Sequence, residues 1–155
     1  MSDQDFFTFR EYMRKEQEVL SPSAEDYVEM IYRLSEKYGF TRVNDLAAAL
    51  NVQPPSVTKM IQKLSEMNLI RYVKYGVIML EPRGMEKGKA LLERHNTVEE
   101  FLRLLGMTEG LLDETEKLEH MIDREILAGI SNLIGFFAEN PDILKYFNEY
   151  RKTIS

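Results

Sequence analysis

Residues 44–64 read NDLAAALNVQPPSVTKMIQKL, and the fold turns on how this stretch is divided. Asn44 is a candidate N-cap, and Ala47, Ala48 and Ala49 favour a short helix behind it. Asn51-Val52-Gln53-Pro54 predicts a tight turn. Pro55 suits the first turn of a second helix, where a missing N–H breaks no hydrogen bond. On that helix Val57, Ile61 and Leu64 recur at i, i+4, i+7 and so point inward. Ser56, Thr58, Lys59, Gln62 and Lys63 are left on the outside. Downstream, β-branched and aromatic runs at 69–75 and 77–80 flank Gly76, which predicts a hairpin ended by Pro82. Two short helices, a turn and a hairpin make a winged helix-turn-helix with a small β-hairpin wing.

The flanking sequence is mainly helical. Residues 1–21 form a charged, aromatic-containing extension whose pattern is compatible with a helix from Phe6 to Val19. Ser23 is a candidate cap for a helix running to about Lys37 and stopped by Gly39. The winged-helix domain is therefore expected over 22–82. A linker helix over 83–106 is ended by Gly106. A C-terminal helical domain over 107–155 holds one or two helices before a last short one opened by Asn140-Pro141-Asp142. The fold class expected is mainly α, an N-terminal winged helix-turn-helix followed by a helical domain.

Composition narrows the function classes. The chain has 155 residues, no cysteine, 20 Lys+Arg and 26 Asp+Glu. Without cysteine there is no disulfide framework, thiolate metal site or cysteine nucleophile. No apolar run approaches the ~20 residues of a membrane span, and Asp3 and Asp5 stand where a secretory signal would be basic, so the cytoplasm is the default expectation and no membrane partner is expected. The net charge of −6 is unevenly spread. Residues 1–41 carry 5 positive and 9 negative groups, residues 42–95 carry 9 and 5, and residues 96–155 carry 6 and 12. The basic middle coincides with the winged helix, which suits a polyanion. A second helix with small polar and basic side chains outward fits the major groove, and the wing fits the backbone beside it. Lys59, Lys63, Arg71 and Lys74 are candidates for phosphates. Thr58 and Gln62 are candidates for base edges, and Gln53, Ser56 and Tyr75 complete the expected DNA-binding set. The competing reading is a winged helix that serves packing or protein contact alone.

Both histidines keep acidic company. Glu116, Glu119 and His120 stand at i, i+3, i+4, within about 100° of arc on a helix. His95 lies on the linker helix, and Asp26 and Glu29 lie together on the first helix. Four carboxylates and two imidazoles suit a hard or borderline divalent ion such as Mn²⁺ or Fe²⁺, and the lack of sulfur argues against structural zinc. Ordinary readings compete. Asp26 stands three after Ser23 and Glu116 three after Asp113, as capping residues do, and a glutamate on a helix is most often a solvated charge. Nothing local shows that the three helices meet.

Three blocks together carry a resemblance: Ser23-Ala24-Glu25-Asp26-Tyr27-Val28-Glu29-Met30-Ile31-Tyr32, residues 52–64, and Glu116-Lys117-Leu118-Glu119-His120. With Arg94-His95 and Phe101-Leu102, the chain resembles the diphtheria-toxin-repressor family, and within it the manganese-responsive branch. The match covers about residues 22–140. The resemblance implies a metal-activated transcriptional repressor of metal-uptake genes. It implies a homodimer on palindromic double-stranded operator DNA, dimerising through residues 107–155, and not an enzyme. The implied metal ligands are Asp26, Glu29, His95, Glu116, Glu119 and His120, holding two Mn²⁺ per subunit, with Fe²⁺ or another divalent ion as the alternative. The iron-sensing branch typically has Met where Asp26 stands and Cys where Glu116 stands. Three features depart from the pattern. The N-terminal extension is longer, Pro55 stands where Ser is usual, and the wing reads Lys74-Tyr75-Gly76 where Lys-Tyr-Arg-Gly is more usual.

Under this reading, empty ligands repel one another and the DNA-binding unit moves relative to the dimerisation unit; bound metal restores the spacing of two recognition helices. Leu111, Leu112, Leu118, Ile122, Ile126, Ile130, Leu133, Phe136 and Phe137 exceed what so small a subdomain buries alone, so some are expected to be shared across a two-fold axis. Two rivals remain. One is a winged-helix regulator that ignores metal and senses a small organic ligand. The other is a di-metal carboxylate enzyme, disfavoured because such enzymes repeat Glu-x-x-His on two helices of a bundle.

Overall fold

The structure is a computed structural model that describes residues 20–155. The extension before Ser21, with its expected helix from Phe6 to Val19, falls almost wholly outside the described residues. The chain divides into two compact units, with the boundary between Gly88 and Lys89. Among the described residues there are seven α-helices and one three-stranded sheet.

The first unit opens with α1, Pro22–Ser35. Its cap is Ser21, not Ser23: Ala24 N–H donates to Ser21 Oγ at 3.2 Å. Pro22 explains the difference, because a proline at the first helical position pushes the cap one residue ahead of it. Strand β1, Thr41–Arg42, leads directly into α2, Val43–Leu50. Arg42 occupies the N-cap position, so Asn44 lies inside the helix and does not cap it. Asn51 turns the chain with φ 54°, and α3, Pro54–Glu66, begins on the tandem prolines with Gln53 at its N-cap. The wing is β2, Ile70–Val73, a 3₁₀ turn at Lys74–Gly76, and β3, Val77–Leu80. The sheet order is β1-β3-β2, all antiparallel, with Thr41 and Tyr72 flanking Ile78 from opposite sides.

Apolar periodicity built this unit as the sequence predicted. Val57, Ile61 and Leu64 on α3 are buried, and they join Val28, Ile31, Leu46, Ile70 and Ile78 in one core. Burying side chains of this size contributes about 1.5–3 kcal/mol each. That core fixes the rotation of α3, and with it the face that α3 turns to solvent.

Helix α4, Pro82–Leu104, begins in the first unit and ends in the second. Its first turns pack at backbone distance. A Cβ on Gly84 would collide with the Leu69 carbonyl, and one on Gly88 would lie 2.6 Å from Tyr32 Cβ. Gly106, at φ 95°, terminates the helix: its N–H reaches Arg103 O, and Met107 N–H reaches Leu102 O.

The second unit continues with α5, Leu111–Glu119, α6, Arg124–Glu139, and α7, Pro141–Thr153. Asp123 caps α6, its Oδ1 accepting from Ile126 N–H at 2.8 Å. Phe137 on α6 meets Phe147 on α7 at 5.5 Å between ring centroids. Arg151 ties α7 to the end of α4 by donating from Nη1 to Leu105 O at 3.2 Å. Yet neither α6 nor α7 contains a fully buried residue.

Candidate nucleic-acid interface and metal centre

On α3 the buried Val57, Ile61 and Leu64 leave Ser56, Thr58, Lys59, Gln62 and Lys63 exposed, and Gln53 is exposed at the helix start. The Thr58 hydroxyl donates back to Pro54 O at 3.2 Å, so in this geometry the helix backbone occupies it. The two lysines are exposed on the same helix about one turn apart. On the wing, Arg71 donates from Nη2 to Met79 Sδ at 3.5 Å across the hairpin and lies 4.0 Å from Glu81 Oε1. Lys74 and Tyr75 stand at the tip, both exposed. Every residue expected to meet DNA is therefore at the surface of the first unit. This arrangement offers cationic and hydrogen-bonding side chains to a polyanion.

The candidate metal ligands fall into two groups. Asp26 and Glu29 share α1 in the first unit, where Arg33 Nη2 lies 2.8 Å from Glu29 Oε2. His95, Glu119 and His120 come together inside the second unit. Glu119 is 2% exposed and stands between the two rings. Its Oε2 is 2.7 Å from His95 Nδ1, and its Oε1 is 3.6 Å from His120 Nε2. Glu99 approaches the other face of the centre, with Oε2 3.6 Å from His95 Nε2. The spacing of residues 116–120 could not show this depth. Helix α5 ends at Glu119, and His120 is its C-cap, still in a right-handed conformation. Glu116 is exposed. The capping alternative for Glu116 fails, because Gly110 is the N-cap of α5 and Asp113 lies within its first turn. Beside Glu116, the Lys117 ammonium is held above its ordinary pKa by a hydrogen bond to Glu114.

Sequence reasoning passed over Glu99 and Arg94. Glu99 was legible in principle, four residues after His95 and hence on the same arc of a helix. Arg94 Nη2 lies 3.2 Å from His120 Nδ1. A guanidinium only donates, so Nδ1 accepts there, and a neutral ring carries its proton on Nε2, toward Glu119. A buried carboxylate between two imidazoles, with no thiolate in the chain, is a donor set of the kind hard and borderline divalent ions take.

Comparison with known proteins places both halves. Residues 19–78 match the family described as iron dependent repressor, N-terminal DNA binding domain. Residues 81–148 match the iron dependent repressor metal binding and dimerisation domain. The HTH-type transcriptional regulator MntR of Lysinibacillus sphaericus is 42% identical over 126 residues, covering 81% of this chain and 91% of that protein. The regulator of the same name from Bacillus pumilus is 43% identical over 123 residues, covering 79% and 85%. Among solved structures, the T. acidophilum IdeR crystal structure superposes with a TM-score of 0.66 at 28% identity, over 76% of this chain and 56% of that one. The manganese regulator SloR gives a TM-score of 0.66 at 27% identity, over 76% and 55%. This chain thus spans a little over half the length of those two solved chains.

Proposed function

The chain belongs to the iron-dependent repressor family, and from that premise we propose that it is a metal-dependent, DNA-binding transcriptional repressor that responds to manganese. The observation that carries this reading is that consecutive family domains, one for DNA and one for metal and dimerisation, cover residues 19–78 and 81–148. Relatives at 42–43% identity are named MntR, and similar solved structures include a manganese-dependent transcriptional repressor in complex with manganese. Those relatives are regulators, and neither the organic-ligand regulator nor the di-metal enzyme finds support among them.

In this proposal Asp26, Glu29, His95, Glu116, Glu119 and His120 hold the metal, two Mn²⁺ per subunit, with Fe²⁺ as the competing occupant. A bound divalent cation supplies the positive charge that lets four carboxylates sit among these ligands without mutual repulsion. Glu119 and His95 orient one another through their 2.7 Å contact, and Arg94 holds the His120 ring. Lys59, Lys63, Arg71 and Lys74 meet phosphates. Gln53, Ser56, Thr58 and Gln62 read or approach base edges in the major groove. The protein acts as a homodimer on a palindromic operator, represses metal-uptake genes and works in the cytoplasm. No helix among the described residues is long and apolar enough to cross a membrane.

The test is fluorescence anisotropy on duplexes selected from a random library with the manganese-loaded protein. Binding that appears with Mn²⁺ and disappears with chelator is expected, and Glu119→Gln and His120→Ala should abolish the metal dependence while the protein stays folded. Equal affinity with and without metal would remove the sensor reading and favour a regulator of another kind.

A further inference from the structure

Tyr75 and Gly76 have φ of 66° and 73°, both in the left-handed region, within the three-residue loop Lys74–Gly76 that joins the paired Val73 and Val77. Glycine takes this conformation freely. Tyrosine does not, because its Cβ is driven toward the following carbonyl, and such positions ordinarily go to Asn, Asp or Gly. Packing does not repay the strain, since Tyr75 is 89% exposed. A guanidinium braces it from outside the hairpin. Arg42, at the junction of β1 and α2, donates from Nη1 to Tyr75 O at 3.1 Å. Arg42 is itself held twice. Its backbone is in register with Val77 on β3, and its guanidinium lies 5.8 Å from the centroid of the Phe40 ring. The wing tip is thereby tied to the start of α2, the helix that leads into α3.

A strained, exposed and externally braced aromatic residue is an outlier that folding alone leaves unexplained. Its chemistry selects a partner. The minor groove is about 6 Å wide and lined at A·T pairs by acceptors only, adenine N3 and thymine O2. A phenol is a flat, uncharged plate with one strong donor at its edge. Lys74, next in sequence, and Arg71, on the same hairpin, supply cations for the phosphates that border such a groove.

We propose that Arg42 is a positioning residue that fixes the wing tip so that Tyr75 enters the minor groove of duplex DNA and donates to an A·T pair. This rests on the DNA-binding reading above and adds to it a residue, Arg42, outside the sequence-derived set. It also assigns a groove to the wing.

The experiment uses the full chain with Mn²⁺ on library-selected duplexes, with hydroxyl-radical footprinting for deoxyribose protection and anisotropy for affinity. Tyr75→Ala and Tyr75→Asn should each weaken binding by about tenfold, the cost of one good groove contact. Both should erase protection at the wing-facing flanks, while methylation interference at major-groove purines stays in place. Asparagine accepts positive φ, so its failure to rescue would show that the ring, and not the turn, is needed. Tyr75→Phe should keep the protection and lose the A·T preference there. Arg42→Gln should reproduce the Tyr75→Ala loss, and the double variant should be no weaker than either single one. Additive losses, with a salt slope lowered by about one in Arg42→Gln, would make Arg42 a phosphate contact and overturn the positioning role. Unchanged flank protection in Tyr75→Ala would overturn the minor-groove assignment while leaving the repressor reading intact. A wild-type protein that selects no duplex at all would overturn that reading, and this inference with it.

Discussion

Glu119 is a carboxylate with 2% exposure held between two imidazoles, and a buried negative charge is costly unless something compensates it. In the proposed reading a divalent cation supplies that compensation, and manganese would then be a stabilising ligand of the native state. At a free concentration of about 100 times its dissociation constant, a ligand that binds only the folded protein adds about 2.7 kcal/mol. For a chain of this size that is a rise in Tm of roughly 5–10 °C. Glu119→Gln keeps the volume and removes the charge, so the manganese-dependent rise should vanish in a thermal scan. A rise retained in full would assign the ion to other residues. Ser21→Ala is the complementary case, a loss of about 1 kcal/mol from the α1 cap with the manganese-dependent rise unaltered. The pattern of residues 116–120 announced an acidic, imidazole-bearing arc. It could not rank Glu116 against Glu119, because helical spacing gives direction and not depth. It could not separate Ser23 from Ser21 either, since that choice hangs on the prolyl ring at the first helical position.

Helix α4 shows how one element carries information that its own periodicity hides. Gly84 and Gly88 lie one turn apart, and on propensity alone each weakens the helix by about 1 kcal/mol relative to alanine. The structure gives the reason they are there. At Gly84 the Leu69 carbonyl, and at Gly88 the Tyr32 side chain, occupy the space a methyl group would need. Gly88→Ala should therefore destabilise the protein by about 1–3 kcal/mol in urea denaturation, against the sign that propensity predicts. Gly135→Ala on α6 meets nothing within the subunit and serves as the contrast. Elements with many residues in one period, such as α3 with Val57, Ile61 and Leu64, were legible from sequence to within a turn. Strand β1 was not, because two residues have no period. It exists only through its pairing with Val77 and Ile78. The wing hairpin was visible from its β-branched runs, whereas the left-handed Tyr75 at its tip was not, since tyrosine carries no signal for that conformation.

The whole molecule poses a burial problem that one copy does not solve. Leu111, Leu112, Leu118, Ile122, Ile126, Ile130, Leu133, Phe136 and Phe137 were expected to exceed the needs of one subunit, and none of the nine is fully buried. On α6, Ile126, Leu133 and Phe136 are 53%, 42% and 48% exposed and share one face of the helix. Large apolar side chains left exposed along one helix face are what a protein interface covers. The matched family domain over residues 81–148 is one of metal binding and dimerisation, which favours a second copy as the partner. A two-fold pair makes the second half-site contact effectively intramolecular, and affinity then depends on the pair holding together. Phe136→Glu places a charge in that face. It should turn a dimer into a monomer by sedimentation velocity and lower affinity for a selected palindromic duplex by about 100-fold or more. The manganese-dependent rise in Tm should survive, because the His95–Glu119–His120 cluster lies within one subunit. Loss of both properties together would mean that metal and dimer form a single cooperative unit, and a wild-type protein sedimenting as a monomer with manganese and DNA would place the missing burial elsewhere.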